Sequence, residues 1–173
     1  DSLFKRNPGR WLILRVRFAL SHTLQAHLDY GPVRQRLVEQ GVEQPSAQAI
    51  SDAICSIRRE KLPDPAELGN AGSFFKNPVV SAELVEGIRG RFPGVVAYLQ
   101  ADGQVKLAAG WLIEQAGWKG YRDGDAGVHR LQSLVLVNYG QASGAQLHDL
   151  ARRIQADIRE RFGVELEMEP NLY

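Results

Sequence analysis

Apolar positions recur along this chain at two spacings, and the spacing changes from segment to segment. Residues 11–14 are continuously apolar, after which Leu14, Val16 and Phe18 alternate with Arg15 and Arg17. That period of two predicts a strand with one wet face over residues 11–20, entered through the Asn7-Pro8-Gly9 turn. A second turn at 28–32 leads to a short helical stretch over 33–40. Ser46 stands where an N-cap belongs, and Ile50, Ile54 and Ile57 share one face of a helix running to about residue 59. Lys61-Leu62-Pro63-Asp64-Pro65 ends it, because prolines and the residues before them resist helical geometry. A domain boundary is expected there, dividing the chain into 1–62 and 63–173.

The second part opens with a loop at 69–78. A helix over 81–91 turns Leu84, Val85 and Ile88 inward, and a short strand covers 95–99. Ala101-Asp102-Gly103 reads as a hairpin-type turn, 108–115 as a short helix ended by Gly117, and 131–138 as a Leu- and Val-rich strand. The clearest helix spans 143–162, with Leu147, Leu150, Ile154 and Ile158 as its core stripe and Gly163 as its C-terminal cap. Val164, Leu166 and Met168 then alternate with Glu165, Glu167 and Glu169, giving a half-buried closing strand. Strands and helices mix without a βαβ rhythm, so the expected class is α+β.

Composition narrows the function classes. The 173 residues are 44% hydrophobic and 24% charged, which suits a packed globular chain. Net charge is +1, from 21 basic and 20 acidic side chains, so the electrostatic footprint of a nucleic-acid binder is missing. Cys55 is the single cysteine, which excludes an internal disulfide framework or a cysteine-based zinc site. No apolar run is long enough to span a bilayer, and no signal peptide opens the chain. A soluble, cytosolic protein with neither nucleic-acid nor membrane partners is expected. The chain begins Asp1-Ser2-Leu3 without a methionine, which reads as the middle of a longer protein.

The most unusual stretch is Gly69-Asn70-Ala71-Gly72-Ser73-Phe74-Phe75-Lys76-Asn77-Pro78. Its glycines allow positive φ and can hold Ser73 at an exposed turn, with Lys76 and Asn77 close behind. A hydroxyl, a cation and an amide on such a loop could take an anion such as a diphosphate. By residue type alone the plainer reading is a surface loop anchored by Phe74 and Phe75. The stretch lacks the Gly-Lys-Ser/Thr ending of a Walker motif, and Ser73 does not sit in a nucleophile elbow. His22, His27, His129 and His148 show no metal-ligand spacing. His129 reads as a pocket or a loop residue, and His148 as solvated. Glu165, Glu167 and Glu169 read as a wet strand face, unless one of them is aimed into a cleft as an acid or electrostatic partner.

Lys61-Leu62-Pro63-Asp64-Pro65 followed by the 69–78 stretch resembles the signature of the UDP-N-acetylenolpyruvoylglucosamine reductases. Leu107-Ala108-Ala109-Gly110-Trp111-Leu112-Ile113, His129-Arg130-Leu131-Gln132 and the closing 163–169 segment are similar to further blocks of that family, in order. The resemblance implies that 1–62 is the C-terminal part of an FAD-binding domain and 63–173 a compact α+β substrate-binding domain. The implied activity is reduction of UDP-N-acetylglucosamine enolpyruvate to UDP-N-acetylmuramate, using NADPH through FAD. In that reading Ser73 is the proton donor and Glu169 the C-terminal catalytic glutamate, with Glu167 its neighbour on the same face. Tyr30 closes over the nucleotide as in the long-form enzymes, Lys61 and Asn77 hold the diphosphate, Gln132 contacts substrate, and Arg58 lies beside the flavin; no metal is implied. Where the family has Val-Arg after the glutamate, this chain has Pro170-Asn171. The remaining implied partner is the N-terminal FAD-binding half of the same protein, with a monomeric enzyme expected. Without that half the chain is expected to be inactive. The alternative is a non-catalytic UDP-sugar-binding fragment.

Overall fold

The computed structural model describes residues 2–7, 9–29 and 32–171. Two compact units, Asp1–Cys55 and Ser56–Tyr173, make up the chain, and each is described by itself.

The first unit contains α1 (Leu3–Arg6), α2 (Val33–Glu39) and the start of α3 (Ala47–Lys61). Val33 and Leu37 form the buried side of α2. Ser46 begins α3 as expected, its Oγ accepting a hydrogen bond from the Ala49 amide at 3.1 Å. The apolar stripe is rotated from the expected one: Ala53 and Ile57 are buried, whereas Ile54 is 40% exposed. The strand expected over 11–20 does not form. That stretch has no regular structure, and Leu12, Leu14, Val16, Phe18 and Leu20 are all exposed. The alternation is real, but a strand exists only through bonds to a neighbour, and none pairs with these residues among those described.

The second unit holds two antiparallel sheets. One runs β1 (Gly69–Ser73), β7 (Val135–Asn138), β6 (Ala126–Val128), β5 (Arg122–Asp123) in spatial order. The other places β4 (Val105–Leu107) between β2 (Val79–Val80) and β3 (Ala97–Leu99). With α4 (Ala82–Arg91), α5 (Ala109–Gln115) and α6 (Gly144–Phe162) they enclose one core that includes Phe75, Ile88, Leu107, Leu112, Ile154 and Phe162. The α+β class is thereby observed.

Local chemistry accounts for the helix ends. Ser81 caps α4 by accepting from the Leu84 amide at 3.2 Å. Ser143 and Gln146 form a capping box on α6, with bonds of 3.3 Å and 2.8 Å in opposite directions. Gly163 closes α6 in the left-handed region at φ 69°. Leu150, Ile154 and Ile158 are buried as their spacing requires, and Ala151 joins them.

Three expectations about strands change. Residues 69–73 form β1, although the whole 69–78 stretch reads as loop in the sequence. The strand expected over 131–138 begins only at Val135, because the Val135 amide bonds the Gln132 carbonyl at 3.0 Å in a tight turn. The closing 164–169 segment alternates in burial as expected, yet its strand pairing is limited to an isolated bridge between Met168 and Phe75. No helix among the described residues is long and apolar enough to cross a membrane.

Candidate active site

β1 is shaped by Asn70. Its Nδ2 donates to the Leu68 carbonyl at 2.8 Å and its Oδ1 accepts from the Gly72 amide at 3.0 Å, folding the strand back on itself. Gly72 takes φ +74°, a conformation that costs a side-chain-bearing residue and suits glycine. The result is a bulge between Asn70 and Ser73, after which Ser73 resumes register opposite Val135. The Phe74 amide then bonds the Leu134 carbonyl at 2.7 Å, and Phe74 and Phe75 sink into the core. Ser73 is therefore exposed but fixed on both sides: by the bulge before it and by two buried rings after it.

The closing segment runs antiparallel to the residues that follow Ser73. The Lys76 amide donates to the Glu167 carbonyl at 2.9 Å, and the Glu169 amide donates to the Phe74 carbonyl at 2.9 Å. Gln155 on α6 holds the segment from the other side, its Nε2 bonding the Leu166 carbonyl at 2.7 Å. This register separates the two candidate glutamates. Glu167 forms an ion pair with the Lys76 ammonium. Glu169 lies about 7 Å further along the segment, with its backbone beside Phe74, the residue after Ser73.

Asn77 uses its Oδ1 to accept from the Ala109 amide at 2.9 Å, capping the start of α5. Lys61 is the exposed last residue of α3, and no described hydrogen bond or ion pair links it to Asn77. Gln132 is half-buried and its side chain packs near Gly110 of α5. Tyr30 lies outside the described residues. Arg58 lines a cleft of about 900 Å³ together with Arg59, Asn70, Gly72, His129 and Arg130.

His129 is the residue whose importance the sequence left undecided. It is 8% exposed and, with Ser133, is one of two buried polar or charged residues among those described. Its Nδ1 is buried without a hydrogen-bond partner. Burial, reinforced by the neighbouring Arg130 charge, lowers its pKa below the usual 6.5 and so favours the neutral ring. The run Ala126-Gly127-Val128 before it forms a fully buried strand, but three residues with one β-branched side chain carry no strand signal in the sequence. No group of three or more histidine, cysteine or acidic side chains that could hold a metal exists among the described residues.

Residues 64–173 match the family described as UDP-N-acetylenolpyruvoylglucosamine reductase, C-terminal domain. The chain is 87% identical over 173 residues to a UDP-N-acetylenolpyruvoylglucosamine reductase of Pseudomonas putida, covering 100% of this chain and 51% of that protein. A protein of the same name from Pseudomonas aeruginosa is 66% identical over the same span. One from Chromobacterium violaceum is 56% identical over 98% of this chain and 50% of its own length. The crystal structure of a Thermus caldophilus UDP-N-acetylenolpyruvylglucosamine reductase aligns with 73% of this chain and 36% of its own, at 27% identity and a TM-score of 0.42. The chain spans about half the length of the curated relatives it matches.

Proposed function

This chain belongs to the UDP-N-acetylenolpyruvoylglucosamine reductase family, and from that premise we propose that it carries the substrate-binding and proton-donating part of a cytoplasmic, monomeric enzyme that reduces UDP-N-acetylglucosamine enolpyruvate to UDP-N-acetylmuramate for peptidoglycan synthesis. In this reading NADPH is the reductant and FAD the resident cofactor. Residues 1–62 complete an FAD-binding domain whose N-terminal half precedes this chain, and 63–173 hold the substrate. Arg58, Arg59 and Arg130 are the groups of the cleft that could bond a phosphate-bearing group, on a wall they share with Glu60, Asp64 and Glu67. Arg58 would lie against the flavin.

FAD, where bound, would supply the hydride chemistry at the enolpyruvyl double bond. The residues of this chain then act on the negative charge that develops at the adjacent carbon and spreads into the substrate carboxylate. Ser73 donates its hydroxyl proton to that carbon. A serine hydroxyl is a poor acid in water, but the acceptor is strongly basic and the donor is held in place, which lowers the demand on acidity. Glu169 orients and polarises the reacting end. Lys61 and Asn77 hold the diphosphate: because the Asn77 Oδ1 is engaged by the Ala109 amide, its amino group is the end left to donate. Gln132 contacts the substrate and Tyr30 closes over the nucleotide.

The observation that carries this reading is the antiparallel register of the closing segment, in which the Glu169 amide bonds the Phe74 carbonyl at 2.9 Å beside Ser73. The test is Ser73→Ala in the full-length enzyme, with the two half-reactions followed separately. Flavin reduction by NADPH should be nearly unchanged, while flavin reoxidation by substrate should slow by about 10²-fold or more, the loss expected on removing a positioned general acid. Equal slowing of both half-reactions overturns the role of Ser73. A second reading follows from the chain's spanning 51% of its Pseudomonas putida relative: taken alone, it binds UDP-sugar without turning it over. A colourless preparation that binds UDP supports that; a yellow, flavin-containing one supports the enzyme.

A further inference from the structure

His129 presents an inconsistency that the described residues do not resolve. Its backbone amide bonds the Val135 carbonyl at 2.9 Å, fixing the residue where β6 runs out beside β7. The side chain is buried, yet Nδ1 finds no partner. A buried polar atom without a partner forfeits solvation, so the state of Nδ1 decides where the ring keeps its proton. The ring also forms part of the wall of the cleft lined by Arg58, Arg59 and Arg130.

A neutral imidazole carries one N–H and one lone pair. Burial and the Arg130 charge both oppose a second proton. An orphaned buried N–H is rarer in proteins than an acceptor short of a partner. The lower-energy arrangement therefore leaves the lone pair on sealed Nδ1 and the proton on Nε2. That puts a neutral N–H donor next to the Arg130 guanidinium, on a wall that carries Glu60, Asp64 and Glu67 as well as Arg58, Arg59 and Arg130; a neutral donor beside a guanidinium can hold an oxygen anion without adding a further charge. The position along the strand says which oxygen anion. Val135, whose carbonyl takes the His129 amide, is the register partner of Ser73 across β1 and β7. His129 and the candidate proton donor thus flank the same residue of β7, one on either side.

We propose that His129 is a substrate-binding residue whose Nε2–H donates to an oxygen of the substrate's carboxylate in the cleft whose wall ends at Gly72, the residue before Ser73. The inference rests on the substrate reading given above and extends it by one residue. Placed there, the donor holds the carboxylate into which charge spreads during reduction, without adding a second titrating group to the site.

The test uses the full-length enzyme labelled with ¹⁵N-histidine. In the wild type, long-range ¹H–¹⁵N spectra should show the Nε2–H tautomer for His129, and its ring signals should shift on adding UDP-N-acetylglucosamine enolpyruvate but not on adding UDP. An Nδ1–H tautomer overturns the proposal, as does indifference to the full substrate. A shift with UDP alone also overturns it by assigning the contact to the diphosphate. Kinetics supply the second arm, because a glutamine amide reaches the position of Nε2 and an asparagine amide that of Nδ1. His129→Asn should raise KM for the enolpyruvyl substrate about tenfold or more with a smaller change in kcat. His129→Gln should stay within about threefold of wild type, a residual cost smaller than one hydrogen bond. If both variants behave alike, the side chain acts through packing and the proposal fails. Failure of the substrate reading itself would look different: wild-type flavin would not be reoxidised by the enolpyruvyl sugar at all.

Discussion

Ser73, Glu167 and Glu169 show how little residue type alone decides. Both glutamates are exposed, carry the same charge and share one face of the closing segment. Only the register, with Lys76 bonded to Glu167 and Phe74 to Glu169, distinguishes them. The ion pair of Lys76 with Glu167 is largely exposed and adds little stability by itself. The pair engages the Glu167 carboxylate with Lys76, while it is the backbone of Glu169 that bonds Phe74, the residue after Ser73. Lys61 carries the other residue-scale prediction. It ends α3 as an exposed cation, consistent with a diphosphate contact made on binding. Lys61→Ala should weaken UDP binding by about 1.5–3 kcal/mol, the range for a charge-assisted hydrogen bond, with the melting temperature unchanged. Calorimetric titration with UDP checks it, and unaltered affinity removes the diphosphate role.

At the scale of elements, helices were more legible than strands. α4 and α6 begin at serines and α6 ends at a glycine where the pattern puts them, because capping is a local interaction readable within a few residues. β5 and β6 left no such trace. Arg122-Asp123 and Ala126-Gly127-Val128 are too short and too poor in β-branched residues to signal strands, and they exist through pairing with each other and with β7. Gly127 shows the consequence. A Cβ there would lie 2.7 Å from Tyr139 Cε2 and 2.9 Å from the Tyr121 carbonyl oxygen, a backbone atom with little room to yield. Gly127→Ala should therefore destabilise the fold by about 1–3 kcal/mol through overpacking. Gly87, on the exposed side of α4, meets nothing within 4 Å. Gly87→Ala should stabilise by about 0.5–1 kcal/mol, from the helical preference of alanine. Urea denaturation of both variants against wild type gives the comparison, and shifts of the same sign would contradict it.

For the molecule as a whole, His129 links the cleft to stability. Unfolded, the ring takes a proton near 6.5; folded, burial and Arg130 keep it neutral to lower pH. Between those two values the unfolded chain binds more protons, so stability rises with pH across that window. It should be level above about pH 7, as expected from an unfolded histidine near 6.5, and decline as pH falls through 6.5 toward the folded value. Glu60, Asp64 and Glu67 line the same cleft with Arg58 and Arg59, but Arg130 is the charge that acts on the ring. Thermal unfolding of the chain between about pH 5 and 7.5 should show this decline in wild type and a flatter profile in His129→Gln. Identical profiles would mean that another group governs the slope.

The sequence by itself determined the α+β class, the α6 stripe and its caps, the stop at Pro63, and a family resemblance that the comparisons bear out. These rest on interactions between near neighbours or on residue order, both of which a linear text preserves. Tertiary structure alone decided that residues 11–20 alternate without forming a strand, that 69–73 is a bulged strand and not a loop, and that Glu167 takes Lys76. It also decided that His129 is buried with an orphaned nitrogen. Each of these depends on which distant segment lies alongside. Backbone pairing and desolvation are set by neighbours in space, and alternation, charge or a lone histidine carries no record of them.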